Sequence, residues 1–288
     1  MKVTPECFPC FFSQAVRTCR HLGLEDQQIW DVLEAVHHRL SDINREATPS
    51  RIGKDVYHLL SEKTGIVDPY EAVKTSCTQK ALALYPDLKR KIRASSDPFR
   101  LAVRAAIAGN VIDFGTGKDL DLQKDIEANL QLELAVDWTD ELRTLVEKAR
   151  HILYIGDNAG ETVFDRLLIE ELEKPVTYAV RSAPIINDAV EKDARLAGLH
   201  EVARILPSGS TLPGTELKDC TPDFLEIFRS ADVIISKGQG NYECLSEETG
   251  PLFFLLKAKC AAVARDMGVR QGSLVLLRSR LFDSIRSL

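Results

Sequence analysis

The chain has 288 residues, 44% of them apolar, and a formal net charge of −6, which suits about two domains with a sizeable core. The acidic balance argues against a nucleic-acid-binding surface, which shows a basic excess, but it leaves room for a local basic pocket. Met1-Lys2 leads into a mixed segment rather than an apolar one, and the apolar run from Pro251 to Leu256 is far short of the roughly 20 residues of a membrane span, so neither a secretory leader nor membrane insertion is expected.

In chain order, the first feature is Cys7-Phe8-Pro9-Cys10, with the spacing of a metal-binding or redox pair. Cys19, Cys77 or a histidine would have to complete a closed site, and buried structural thiols are the equal alternative. The seven cysteines are an odd count and read as reduced thiols of a cytoplasmic protein, not as a disulfide framework. Ile29, Trp30, Leu33, Val36 and Leu40 recur at helical spacing. Thr48-Pro49, Asp68-Pro69 and Asp97-Pro98 each join a capping residue to a proline suited to a first helical turn, with apolar periodicity following. Gly109 would end the last of these helices. Residues 1–96 are therefore expected to form an all-helical domain.

Residues 97–288 change character after about residue 150. Short apolar runs at His151 to Gly156, Val176 to Arg181, Val202 to Leu206, Asp232 to Ser236 and Cys260 to Arg265 read as strands. Amphipathic stretches such as Glu161 to Leu172 and Asp188 to Leu199 lie between them. The alternation predicts an α/β fold with a mostly parallel, Rossmann-like sheet, whose ligands collect beyond the carboxyl ends of the strands.

Those strand ends carry the chemistry. Gly156-Asp157-Asn158-Ala159-Gly160-Glu161 follows one strand and opens a helix. Asp157 and Asn158 place two oxygen-bearing side chains at the sheet edge, as a hard divalent cation requires, although alone they also fit an Asx turn capping the helix. Arg181-Ser182-Ala183-Pro184-Ile185-Ile186-Asn187-Asp188 follows the next strand, and Asp188 is either a third oxygen ligand or an N-cap. A third strand leads into Ser236-Lys237-Gly238-Gln239-Gly240-Asn241-Tyr242-Glu243. Its glycines permit close backbone approach to a ligand, with Lys237 adding a cation. Glu243 stands where a dinucleotide fingerprint needs its third glycine, so NAD binding is not expected. Gly115-Thr116-Gly117-Lys118 lacks the leading glycine and following hydroxyl residue of a phosphate-binding P-loop.

Together these segments, with Gly109-Asn110-Val111-Ile112-Asp113-Phe114 and Leu256-Lys257-Ala258-Lys259-Cys260, resemble the damage-control phosphatases, once catalogued as a family of unknown function. The Cys7/Cys10 pair resembles their prokaryotic subgroup. The resemblance implies a metal-dependent phosphatase acting on small, sugar-phosphate-like metabolites. It implies Asp157, Asn158 and Asp188 as ligands of Mg²⁺, Mn²⁺, Ni²⁺ or Co²⁺. It also implies Asn241 and Lys257 as phosphate contacts. Lys237 and Gly238 are expected beside the phosphate, with Asn110, Asp113, Glu161 and Arg181 near the pocket. Two rivals are a metal-dependent transferase using the same crevice and a non-enzymatic metal- or metabolite-binding protein centred on Cys7 and Cys10.

Overall fold

The computed structural model describes residues 1–109 and 122–280, so Asn110 and Asp113 lie outside the described residues. Four helices come first: α1 (Cys7–His21), α2 (Asp26–Ser41), α3 (Pro49–Thr64) and α4 (Glu71–Arg93). The expected cap at Thr48 is present: its Oγ1 accepts the Arg51 N–H at 3.2 Å, Pro49 opens the helix, and Gly65 closes it in the left-handed conformation. Phe11, Ala15, Val36, Val56 and Leu60 build the core of this region. Ala81, Leu88 and Ile92 of α4 instead share a core with the sheet.

The remaining described chain forms α5 (Pro98–Gly109), α6 (Leu122–Gln131), β1 (Val136–Asp137), α7 (Thr139–Lys148), β2 (Ile152–Ile155), α8 (Thr162–Leu172), β3 (Val176–Val180), α9 (Glu191–Leu196), β4 (Arg204–Pro207), α10 (Pro222–Ser230), β5 (Val233–Lys237), α11 (Gln239–Leu245), β6 (Leu252–Lys257), α12 (Ala261–Met267) and β7 (Leu274–Arg278). They build a seven-stranded sheet in the order β1-β7-β6-β5-β2-β3-β4, parallel except where β6 meets β7. β2, β3 and β5 are buried along their whole length, as befits strands covered on both faces.

Cys260 to Arg265, expected as a strand, is a helix: Ala261 and Met267 bound α12. Its alanines are strong helix formers, and the strand of this region is the preceding run Leu252–Lys257, whose branched and aromatic side chains fill both faces of the sheet. The chain winds outward in one direction from β2 through β3 to β4 and in the other from β5 to β6. β2 and β5 are therefore neighbours at the topological switch point, the place beyond the strand ends where doubly wound sheets form their ligand crevice. Among the described residues, no helix is long and apolar enough to cross a membrane.

Candidate active site

Asp157 leaves β2 and Asp188 follows β3, and the two loops are tied to each other. The Ala189 N–H donates to Asp157 O at 2.7 Å and the Ala159 N–H to Asn187 O at 2.9 Å, pairing Asn158 with Asp188 across the crevice. The Asp188 loop is anchored from the helical region as well. Ile185 is buried in the α1–α3 core, and Ile186 packs against it with φ of +46°. A β-branched residue in the left-handed region is strained, and such strain persists only where surrounding packing enforces it. Here it turns the chain sharply enough to aim Asp188 back at the sheet edge.

Both carboxylates are buried, at 7% and 3% exposure. Burial, then the neighbouring Asp188 and Glu161, push the Asp157 carboxyl well above the usual range. Burial also raises Asp188, with Arg181 pulling the other way. Arg181 donates from Nε to Asp188 Oδ2 at 2.7 Å and from Nη1 to Thr215 Oγ1 at 2.8 Å. Its buried Nη2 has no hydrogen-bond partner and lies 3.7 Å from Asp157 Oδ1. One guanidinium thus faces two buried acids. The Asn158 amide completes the arrangement, its Nδ2 donating to Asp157 Oδ2 at 3.2 Å and to Glu161 Oε1 at 2.6 Å. Two hard carboxylates and an amide oxygen, short of positive charge, fit Mg²⁺ or Mn²⁺ by donor chemistry. Among the described residues, no three His, Cys, Asp or Glu side chains are arranged to hold a metal, so a cation here needs Asn158 as its third donor.

Gly238 follows β5 with φ of +78°, and a Cβ on it would overlap the Asp157 carboxylate. A Cβ on Gly240 would overlap the Pro213 carbonyl. The glycines after β5 therefore serve close internal packing. Asn241 is fully buried and its amide bonds internally: Nδ2 donates to Gly156 O at 2.9 Å and Lys237 O at 2.8 Å, while Oδ1 accepts from Thr215 at 2.9 Å. It ties the ends of β2 and β5 together and links them to Arg181 through Thr215. Lys237 is buried too, its Nζ donating to Asp165 Oδ1 at 2.6 Å and Glu161 Oε2 at 3.1 Å. Asp165 also accepts from Tyr154 and Tyr178, both at 2.7 Å. Burial works against the Lys237 charge, but Asp165 and Glu161 more than reverse it, so its ammonium titrates above the usual lysine range.

Lys257 ends β6 at the same sheet edge and is half-buried, and Lys259 two residues on is exposed. Lys259 acts electrostatically on Asp157. Asp165, Tyr154, Tyr178 and Thr215 were not anticipated from sequence. Asp165 stands one helical turn beyond Glu161, and the two tyrosines are register partners on β2 and β3, so helical spacing and strand pairing carried the signal for three of the four. Cys7 and Cys10 belong to the first turn of α1, and all seven cysteines are free thiols.

A doubly wound sheet with two acids and an amide gathered beyond the ends of β2 and β3 defines an α/β protein with a cluster of oxygen-bearing side chains at its carboxyl edge. The chain belongs to the damage-control phosphatase family: residues 3–275 match its ARMT1-like domain. It is 38% identical to a damage-control phosphatase of Pyrococcus horikoshii, over 97% of this chain and 99% of the relative. It is 32% identical to a damage-control phosphatase of Archaeoglobus fulgidus, over 96% and 98% respectively. The crystal structure of a DUF89 family protein from Pyrococcus horikoshii superposes with a TM-score of 0.90 at 37% identity, covering 97% of this chain and 100% of that one. The relatives' names support phosphatase activity.

Proposed function

We propose that this chain is a cytoplasmic, metal-dependent phosphatase that hydrolyses small, sugar-phosphate-like metabolites. The observation that carries the reading is the convergence of Asp157, Asn158 and Asp188 at the ends of adjacent strands, with Lys257 at the same edge. Asp157, Asn158 and Asp188 would hold one Mg²⁺, Mn²⁺, Ni²⁺ or Co²⁺, which when bound supplies Lewis-acid polarisation of a phosphoryl oxygen. Arg181 restrains Asp188 and offsets part of the buried negative charge. Lys257 neutralises charge developing on the phosphoryl group, a role that needs a cation in place before the reaction starts. Water is the favoured nucleophile, because Ala159 stands two residues after Asp157, where aspartyl phosphatases carry a second aspartate. Cys7-Phe8-Pro9-Cys10 supports reading the chain as one of the prokaryotic subgroup.

The test is a screen of metal-stripped protein against Mg²⁺, Mn²⁺, Ni²⁺ and Co²⁺ and a panel of sugar phosphates and nucleotides. Phosphate release that depends on both metal and phosphomonoester is the expected result. Absence of turnover with every metal would refute it, and turnover only with a nucleotide or methyl donor would favour a transferase.

A further inference from the structure

Lys237, expected beside the substrate phosphate, has no exposed surface, and its ammonium is held by two carboxylates. Two of its three N–H donors go to these carboxylates, and no part of it reaches the surface from which a phosphate would approach. Its connections run inward to the metal-type donors instead. Lys237 Nζ reaches Glu161 Oε2 at 3.1 Å, and Glu161 Oε1 accepts from Asn158 Nδ2 at 2.6 Å. Asn158 Nδ2 also donates to Asp157 Oδ2 at 3.2 Å. In this arrangement the amide nitrogen faces both acidic groups, and an ionised carboxylate there only accepts. Its Oδ1 is thereby the end left for a cation. Behind Lys237, Asp165 is locked by the Tyr154 and Tyr178 hydroxyls, both at 2.7 Å. Gly156 is part of the same packing, because a Cβ there would overlap the Tyr178 hydroxyl.

We propose that Lys237 is a positioning residue and not a phosphate ligand: clamped by Asp165, it fixes the Glu161 carboxylate, which orients the Asn158 amide so that its oxygen faces the cation site. The chain of contacts Asp165–Lys237–Glu161–Asn158 is the outer layer that a metal ligand needs in order to present one atom consistently. The proposal rests on the reading of Asp157, Asn158 and Asp188 as metal ligands.

The experiment compares the parent with Lys237→Met, Glu161→Gln, and the two combined. Mn²⁺ affinity of the metal-stripped proteins is measured by calorimetry, and KM and kcat for a turned-over phosphomonoester are measured at saturating Mn²⁺. Loss of such an outer contact lowers metal affinity by roughly 10–100-fold. Each single variant is expected to show that loss with KM within about twofold of the parent, and the double variant is expected to lose no more than the worse single, because both act through one contact. A rise in KM for Lys237→Met with unchanged Mn²⁺ affinity would overturn the proposal and make Lys237 a phosphate ligand. Additive losses in the double variant would also overturn it. A parent that binds no Mn²⁺ would instead defeat the metal-site reading, and the positioning role with it. Lys237→Met leaves two buried carboxylates without their cation, so Lys237→Met/Asp165→Asn serves as the second variant if the single fails to fold. It removes one charge of each sign while still taking the Lys237 ammonium away from Glu161, and unchanged Mn²⁺ affinity in it would equally refute the proposal.

Discussion

Gly238→Ala is the sharpest probe of how the crevice is assembled. The residue holds φ of +78°, and a methyl group there meets the Asp157 carboxylate. With ψ of 163° the backbone lies outside the left-handed helical well, in a region essentially reserved for glycine, which disfavours any other residue by about 1–3 kcal/mol. Forcing a methyl against Asp157, itself hemmed in by Asn158 and Arg181, adds an overpacking penalty of about 1–3 kcal/mol. The expected destabilisation is roughly 2–6 kcal/mol, which for a chain of this size lowers Tm by roughly 5–20 °C. Displacement of Asp157 on the ångström scale should also reduce kcat on the order of 100-fold. Gly268→Ala is the control for a positive-φ glycine with open space around it. It has φ of +72° and ψ of 30°, in the left-handed well, and no heavy atom lies within 4 Å of where its Cβ would stand, so it carries only the left-handed backbone penalty of about 1–2 kcal/mol. Thermal melts and phosphomonoester turnover of both variants decide the matter. If Gly238→Ala melts no lower than Gly268→Ala and retains parental turnover, the contact between Gly238 and Asp157 does not shape the site.

Asp157→Ala should reduce turnover by at least 10²-fold through loss of an anionic metal ligand, while the metal-free protein melts no lower than the parent because a buried like-charge contact with Asp188 is relieved; metal content and melting curves check both halves. Lys257→Ala should raise KM while retaining the metal, which steady-state kinetics and metal analysis will separate. Asp97 provides a pH test away from the site. Burial pushes its carboxyl up, but the Arg100 N–H at 3.0 Å and the Arg143 guanidinium at 2.7 Å more than reverse that, so its pKa is depressed on folding. Its contribution is therefore present above the unfolded value of about 4 and is lost as pH falls below it. Urea midpoints at pH 7 and pH 3 should differ less in Asp97→Asn than in the parent.

The three metal-type residues were legible because their placement depends on local order: a strand, then an acid at its carboxyl end. Asp157, Asn158 and Asp188 needed only that β2 and β3 lie side by side. The parallel sheet and the Thr48 cap were legible for the same reason. Lys237 and Asn241 were harder, because a strand-end lysine or asparagine reads as exposed until its partners are known. Asp165 lies 72 residues before Lys237, and Thr215 lies 26 before Asn241. The segment Cys260 to Arg265 was misread because small apolar residues satisfy a strand and a short helix alike. β1 has two residues, too few for any periodicity to register. The Ile186 backbone has no sequence signature, since a β-branched residue is the last choice for that conformation.

The central claim is that Asp157, Asn158 and Asp188 share one cation. Anomalous diffraction from a crystal of the protein soaked in Mn²⁺ tests it most directly. The account predicts a single strong peak beyond the ends of β2 and β3, with oxygens of all three side chains at about 2.0–2.6 Å. A peak at Cys7 and Cys10 with none between the two aspartates would contradict it.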